Sequence, residues 1–228
     1  MRDLEAFVNV TIPASSYDLV QLADVHTELS IPTADTSNDA WISLAITKVS
    51  TAIQNHCNRM FAAETLTETI YPQRDSYMGM VPGGLQPLQL SRWPIISVTS
   101  LTVLSPPNTP VTLTQGTDYI LKGVRTQGDC GQLLRLNPNT GFVAVWEPLP
   151  ITVVYAAGYA SIPADLVDAC LRLITKSWWS RARDPALMER QQGGAGTERF
   201  WISTGAEGNL TPDIVDMLDG QYRVPVAR

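Results

Sequence analysis

Apolar residues recur at helical spacing in three stretches of this chain and alternate with polar residues in the region between them. The longest helical stripe is Leu166, Val167, Cys170, Leu173, Ile174 and Trp178, a broad apolar face. It follows the β-branched segment Ile151–Tyr155 and the small residues around Gly158. Pro163 suits a first helical position because it has no N–H to satisfy there, with Ser161 as N-cap or just ahead of it. Asp165 and Asp168 come early and Lys176, Arg181 and Arg183 late, the order that suits the helix dipole. Pro185 then stops the run. The pattern predicts a helix ending near Asp184, about 31 Å long, as the spine of the fold.

A second stripe, Trp41, Leu44, Ala45, Val49, Ala52, Ile53, Cys57 and Met60, predicts a helix from Ser37 or Asn38 to about Phe61, uninterrupted by Gly or Pro. A shorter one at Leu22, Val25 and Leu29 precedes it and ends at Ile31-Pro32. Residues 1–15 read as extended. From Glu64 the period changes to two. Strands are predicted at Thr65–Tyr71, Leu88–Leu90, Val98–Leu104, Val111–Leu113, Tyr119–Leu121, Leu133–Leu136 and Ile151–Tyr155. A Gly/Pro/Met-rich loop (72–84) and turns such as Ser-Pro-Pro-Asn and Asn-Pro-Asn-Thr-Gly separate them. Beyond Pro185, a short helical piece is expected over Ala186–Gln191, then a loop through Gly208. Thr211-Pro212-Asp213 opens a helix of one or two turns over Ile214–Leu218, closed by Gly220, with an extended tail after it.

The fold class expected is therefore α+β. Its helical core (1–63 and 159–192) is two N-terminal helices plus the long one, with a β-rich insertion at 64–158. Residues 193–228 form a linker, a short helix and a C-terminal tail.

Composition narrows the function. Hydrophobic content of 44% supports a real core, while a charged fraction of only 17% with six Trp points to surface that partners cover. A net charge of −6 argues against a protein whose main task is gripping DNA. No apolar run approaches the roughly 18 residues of a membrane span, and Met1–Val10 lacks the apolar segment of a signal peptide. Cys57, Cys130 and Cys170, odd in number and far apart, read as free thiols.

Chemistry is hard to find. His26 and His56 sit in helices without metal-spaced partners, where surface or packing roles suffice. Gly193-Gly194-Ala195-Gly196-Thr197 lacks the Lys and the preceding strand of a phosphate loop and reads as a linker. No Gly-x-Ser-x-Gly elbow occurs, and no carboxylate pair is marked for acid–base work. No catalytic, metal or cofactor site is expected. Two constellations stand out instead. Arg172, Lys176 and Arg183 fall at i, i+4, i+11 with Trp179 between. They form either a solvated face or a basic stripe toward nucleic acid or a neighbouring subunit. Trp178 and Trp179 point about 100° apart on a helix, so one of them is free for an interface. The end of the chain carries Tyr222, Arg223, Val224 and Pro225, either a frayed terminus or a peptide that docks in a groove.

Several segments, in order, resemble the head-to-tail adaptor (head completion, or connector) proteins of long-tailed phages and gene-transfer particles, in a long form with a β insertion. They are the short helix ending at Ile31, the helix Asp39–Phe61, the run Leu90-Ser-Arg-Trp-Pro-Ile-Ile-Ser-Val-Thr-Ser-Leu-Thr-Val103, the block Ile151–Trp179 with its Ala-Gly-Tyr and Ile-Pro, and the close Met217-Leu-Asp-Gly-Gln-Tyr-Arg-Val224. The Gly-rich segment 193–208 departs from that pattern. The resemblance implies a non-enzymatic virion protein of the neck, assembled in the host cytoplasm. Identical subunits would form a dodecameric ring beneath the portal protein. A stopper or tail-completion protein would bind below, and double-stranded DNA would pass through without sequence-specific contacts and without a membrane. It implies portal docking by the C-terminal segment, with Asp213, Ile214, Leu218, Tyr222, Arg223, Val224 and Pro225 as candidate contacts. Arg172, Lys176, Trp179 and Arg183 would lie at the lumen or a subunit interface. Another neck or tail-completion protein and, from a different class, a nucleic-acid-binding regulator are the alternatives. A small hydrolase would need a convergent polar pocket, which the sequence does not mark.

Overall fold

A computed structural model describes residues 7–71, 87–105, 109–123, 129–147, 149–181, 189–192, 196–199 and 210–223. The fold is α+β: four helices and antiparallel sheets among the described residues. The chain divides into two discontinuous compact units, Met1–Ser15 with Ala62–Ser161 and Ala227–Arg228, and Ser16–Phe61 with Ile162–Val226.

The first unit is β-built. A five-stranded sheet has the order β1 (Phe7–Ile12), β2 (Glu64–Ile70), β9 (Ile151–Ala157), β4 (Ile95–Ser105), β5 (Thr109–Leu113). A second sheet orders β3 (Leu88–Gln89), β7 (Gln132–Leu136) and β6 (Tyr119–Lys122), with β8 (Val143–Ala144) also on β7. Strands β2 and β9 alternate strictly between buried and half-buried positions, the signature of one dry and one wetter face. Leu66, Leu101, Leu133, Ile151, Val153 and Tyr155 form the centre of the dry side, all fully buried. Each such aliphatic side chain contributes roughly 2 kcal/mol by leaving water. Trp146 closes one end, its Nε1 donating to the Leu133 carbonyl at 3.3 Å. Gly158 ends β9 at φ +116°, and a Cβ there would collide with the backbone of Ala62 and Ala63. Only glycine lets those two strands of backbone meet, in the bridge between Ala62 and Tyr159.

The second unit is helical: α1 (Leu22–Glu28), α2 (Asp39–Cys57), α3 (Ala164–Ser180) and α4 (Pro212–Gln221), with a two-stranded hairpin of β10 (Glu189–Gln192) and β11 (Gly196–Arg199). Leu166, Ala169, Cys170, Leu173 and Ile174 are the buried side of α3, as its stripe predicts. Ile42, Ile46 and Ile53 supply the matching side of α2. The segment entering α1 is pinned to α2 by Leu19 N–H donating to Ser50 Oγ at 3.0 Å and Gln54 Nε2 donating to the Tyr17 carbonyl at 2.7 Å.

Several boundaries differ from the sequence reading. Helix α2 stops at Cys57 because Asn58 takes the left-handed conformation at φ 49°, which asparagine tolerates. Pro163 is the N-cap of α3, at ψ 142°, ahead of its first helical residue, and Ser161 does not cap it. Helix α3 ends at Ser180, short of Asp184. Of the helix expected over Ala186–Gln191, residues 186–188 lie outside the described residues and 189–191 are strand instead: 189–192 pairs with 196–199, a stretch expected as loop, in a register that sets Glu189 opposite Arg199 and Arg190 opposite Glu198. Gly220 lies inside α4, which runs to Gln221.

Candidate functional site

In the helical unit, polar ties sit where helices meet. His26, buried at the end of α1, bonds through Nε2 to Asp39 Oδ1 at 2.8 Å. His56, in the last turn of α2, bonds to Asp219 Oδ1 of α4 at 2.7 Å. Both histidines thus have packing roles that join helices. Asp165 on α3 accepts the Tyr222 hydroxyl at 2.6 and 2.7 Å, and the Tyr222 ring meets Phe61 edge-on with centroids 5.7 Å apart. Those contacts, with buried Ile214, Val215 and Leu218, seat α4 on its unit. At the other end of α3, Arg181 lies 3.6 Å over the Trp178 ring, Trp178 meets Trp41 edge-on at 5.4 Å, and Arg181 Nη1 donates to Asn38 Oδ1 at 3.1 Å.

The residues singled out from the sequence fall into separate groups. Ile214, Leu218 and Tyr222 are buried in the unit, so Tyr222 belongs to packed structure and not to an extended tail. The reason is that its ring has an aromatic partner and its hydroxyl a carboxylate. Asp213 stands exposed in the first turn of α4, its carboxyl held below the usual range chiefly by a hydrogen bond with the Thr211 side chain. Arg223 is exposed and paired with Asp219 at 2.9 Å. Arg172 pairs with Asp168 at 2.9 Å one turn before it, so that face of α3 is not purely basic. Lys176 is half-buried, and Trp179 is 75% exposed. Val224, Pro225 and Arg183 lie outside the described residues.

Burial lifts the thiols of Cys57 to about 11 and Cys170 to about 12, against an ordinary 9.0. They are protonated packing groups at neutral pH. Among the described residues no group of His, Cys, Asp and Glu is placed to hold a metal ion.

The β unit contains a constellation that the sequence did not mark. Glu68, 1% exposed, accepts the Tyr155 hydroxyl at 2.6 Å, the Ser91 hydroxyl at 2.6 Å and the Ser91 N–H at 3.1 Å. Arg92 Nε reaches Glu64 Oε1 at 3.2 Å, and the Arg92 N–H donates to the Tyr155 oxygen at 3.3 Å. Burial, then the charge of Glu68, pushes the Tyr155 phenol far up, so it stays a proton donor. The carboxylate's capacity is taken up by these donors. The arrangement clamps the Ser91–Pro94 turn, with its cis Trp93–Pro94 bond, onto β2 and β9. The alternation of Thr65–Tyr71 marks Glu68 as one of a facing set, yet a charged residue on a dry face is read from sequence as a wet position.

No family model and no curated protein matches the sequence. The fold does match solved structures. One is a chain in the "virion of native gene transfer agent (GTA) particle", at TM-score 0.53 and 14% identity over 97% of both chains. Another is a chain in the "neck of empty GTA particle computed with C6 symmetry", at TM-score 0.50 and 15% identity over 97% of both chains. At such identities what is shared is the fold, and it is shared from one end of the chain to the other.

Proposed function

We propose that this chain is a structural subunit of the neck of a phage-like particle. In the finer form, it is the head-to-tail adaptor that rings the portal exit, joins the filled capsid to the stopper or tail, and lets DNA pass. The observation that carries the reading is the fold likeness over 97% of both chains to a chain of a gene transfer agent virion. The six-fold symmetry with which that related neck was computed supports a ring of identical subunits. The chemistry agrees. The polar cluster around Glu68 is a structural clamp, and a net charge of −6 suits a channel that must release DNA.

In this reading the portal-facing segment is the end of the chain. Helix α4 is the mount, held by Ile214, Leu218 and Tyr222, and Asp213, Arg223, Val224 and Pro225 are the contacts it presents. Removing residues 224–228 spares that mount. The truncated chain is expected to fold and to stop co-sedimenting with portal-bearing capsids; full co-sedimentation would overturn the docking assignment. The exposed Trp179 indole favours a subunit contact on α3, and in the same reading the basic residues Arg172, Lys176 and Arg183 face the lumen. Replacing Arg172 and Lys176 together by Glu is expected to impair DNA retention or ejection while rings still assemble. Unchanged DNA handling would count against a lumen position.

A further inference from the structure

The two outer strands of the five-stranded sheet are both bare. Every residue of β1 is exposed, Phe7 at 64% and Ile12 at 61%. Four residues of β5 are exposed and only Leu113 is buried. Among the described residues nothing pairs with the outer edge of either strand. An open edge offers a row of unpaired N–H and C=O groups, and proteins usually guard it with charge. Neither strand carries any: β1 reads Phe-Val-Asn-Val-Thr-Ile and β5 reads Thr-Pro-Val-Thr-Leu. An uncharged, largely apolar, β-prone edge left in water is a pairing hazard unless something covers it.

We propose that β1 of one copy pairs with β5 of a second copy, so that the sheet continues from subunit to subunit. The occupant is argued from the match between the two edges. Each step of the path β1-β2-β9-β4-β5 is antiparallel, so β1 and β5 run the same way. A neighbour in the same orientation therefore lays β5 alongside β1 in parallel. The faces match too. Val8 and Val10 stand opposite Glu68 and Leu66, which point to the dry side. Val111 and Leu113 stand opposite Val103 and Leu101; Leu101 is fully buried, and Val103 pairs with buried Ile151. Val8-x-Val10 and Val111-x-Leu113 thus agree in spacing, face and direction, with Asn9 and Thr112 on the other side. Pro110, which lacks a donor, stands ahead of this match and does not interrupt it. Because the two edges differ, the contact is heterologous and repeats from copy to copy, closing into a ring where the rotation between copies allows, whereas pairing of β1 with β1 would stop at a dimer. None of this depends on the neck reading.

The test is covalent. In a Cys130→Ser background, where Cys57 and Cys170 are buried, Val8→Cys and Val111→Cys are combined and oxidised. This is done as free protein at high concentration and, separately, in assembled particles. Adjacent strands lie about 4.8 Å apart, within disulfide reach. A ladder of covalent species above dimer that needs both cysteines is expected, with each single variant giving no covalent oligomer. Covalent dimers from Val8→Cys alone, or no ladder in either sample, would overturn the proposal. Charge exchange gives a second reading: Val8→Lys should cut self-association at least tenfold, and adding Val111→Glu should restore it. Failure to restore also overturns it. Particles that carry the chain in the neck but give no ladder would remove the continuous sheet and leave the neck reading standing.

Discussion

The two units stabilise themselves by opposite means. The β unit places its strongest polar interactions inside, where Glu68 is almost wholly buried and held by Tyr155 and Ser91, and leaves its sheet edges uncharged and bare. The helical unit keeps a mostly apolar centre, with Ser50 and Gln54 as buried polar exceptions, and places polar ties at helix ends, as in His26–Asp39, His56–Asp219 and Tyr222–Asp165. A buried carboxylate is costly to disturb because its donors lose their partner in a dry place. Each tie of the helical unit has one partner that water reaches, Asp39, Asp165 or Asp219, so it can be lost singly with water as replacement. The β unit should therefore respond to single changes as a rigid block, and the helical unit by loosening locally.

Substitutions can break or sharpen this contrast. The largest effect is expected at Gly158→Ala, where a positive φ and a backbone collision coincide; a loss of about 4 kcal/mol in denaturant unfolding is expected, and a loss under 1 kcal/mol would show that the meeting of the Ala62 and Gly158 backbones is soft. Glu68→Ala should follow at about 3 kcal/mol, since it strands the Tyr155 hydroxyl and the Ser91 N–H. If Glu68→Ala proves no worse than an exposed substitution, the clamp contributes nothing. In the helical unit, Tyr222→Phe keeps the ring and removes only the bond to Asp165, so about 2 kcal/mol is expected. Hydrogen exchange should locate its effect in α4, and global loosening would blur the contrast between units.

The thiols give a pH readout. Cys57 and Cys170 hold their protons more tightly folded than unfolded. Their contribution to stability is therefore full below pH 9 and declines as pH rises through about 11 to 12. At pH 8, a thiol reagent should label Cys130, the half-exposed cysteine, and reach the other two only on unfolding. Rapid labelling of all three in the native protein would contradict their burial. The smallest change in stability, about 0.5 kcal/mol or less, is expected for Trp179→Ala, an exposed side chain. In the proposed ring, its effect should instead appear in assembly.

Periodicity made the helical unit legible, because α2 and α3 bury a repeating stripe that any long helix must show. Strands β2 and β9 were legible for the same reason at period two. What escaped was set by distant partners. Tyr222 reads as part of a tail until Phe61 and Asp165 are brought to it. Glu68 reads as solvated until Tyr155 and Ser91 enclose it. Strand β10 has a helix-compatible composition, and only its register with β11 makes it a strand. The burial of Ile214, Leu218 and Tyr222 in the seat of α4 was not legible either, because partners such as Phe61 and Asp165 lie far off along the chain.

The most direct measurement is a cryo-electron microscopy map of the native particle, resolved well enough to trace side chains. The neck reading predicts this chain's α+β fold repeated around the channel between head and tail, with the end of each chain toward the head-side ring. A neck traced completely by other chains, with this one absent from the particle, would contradict it.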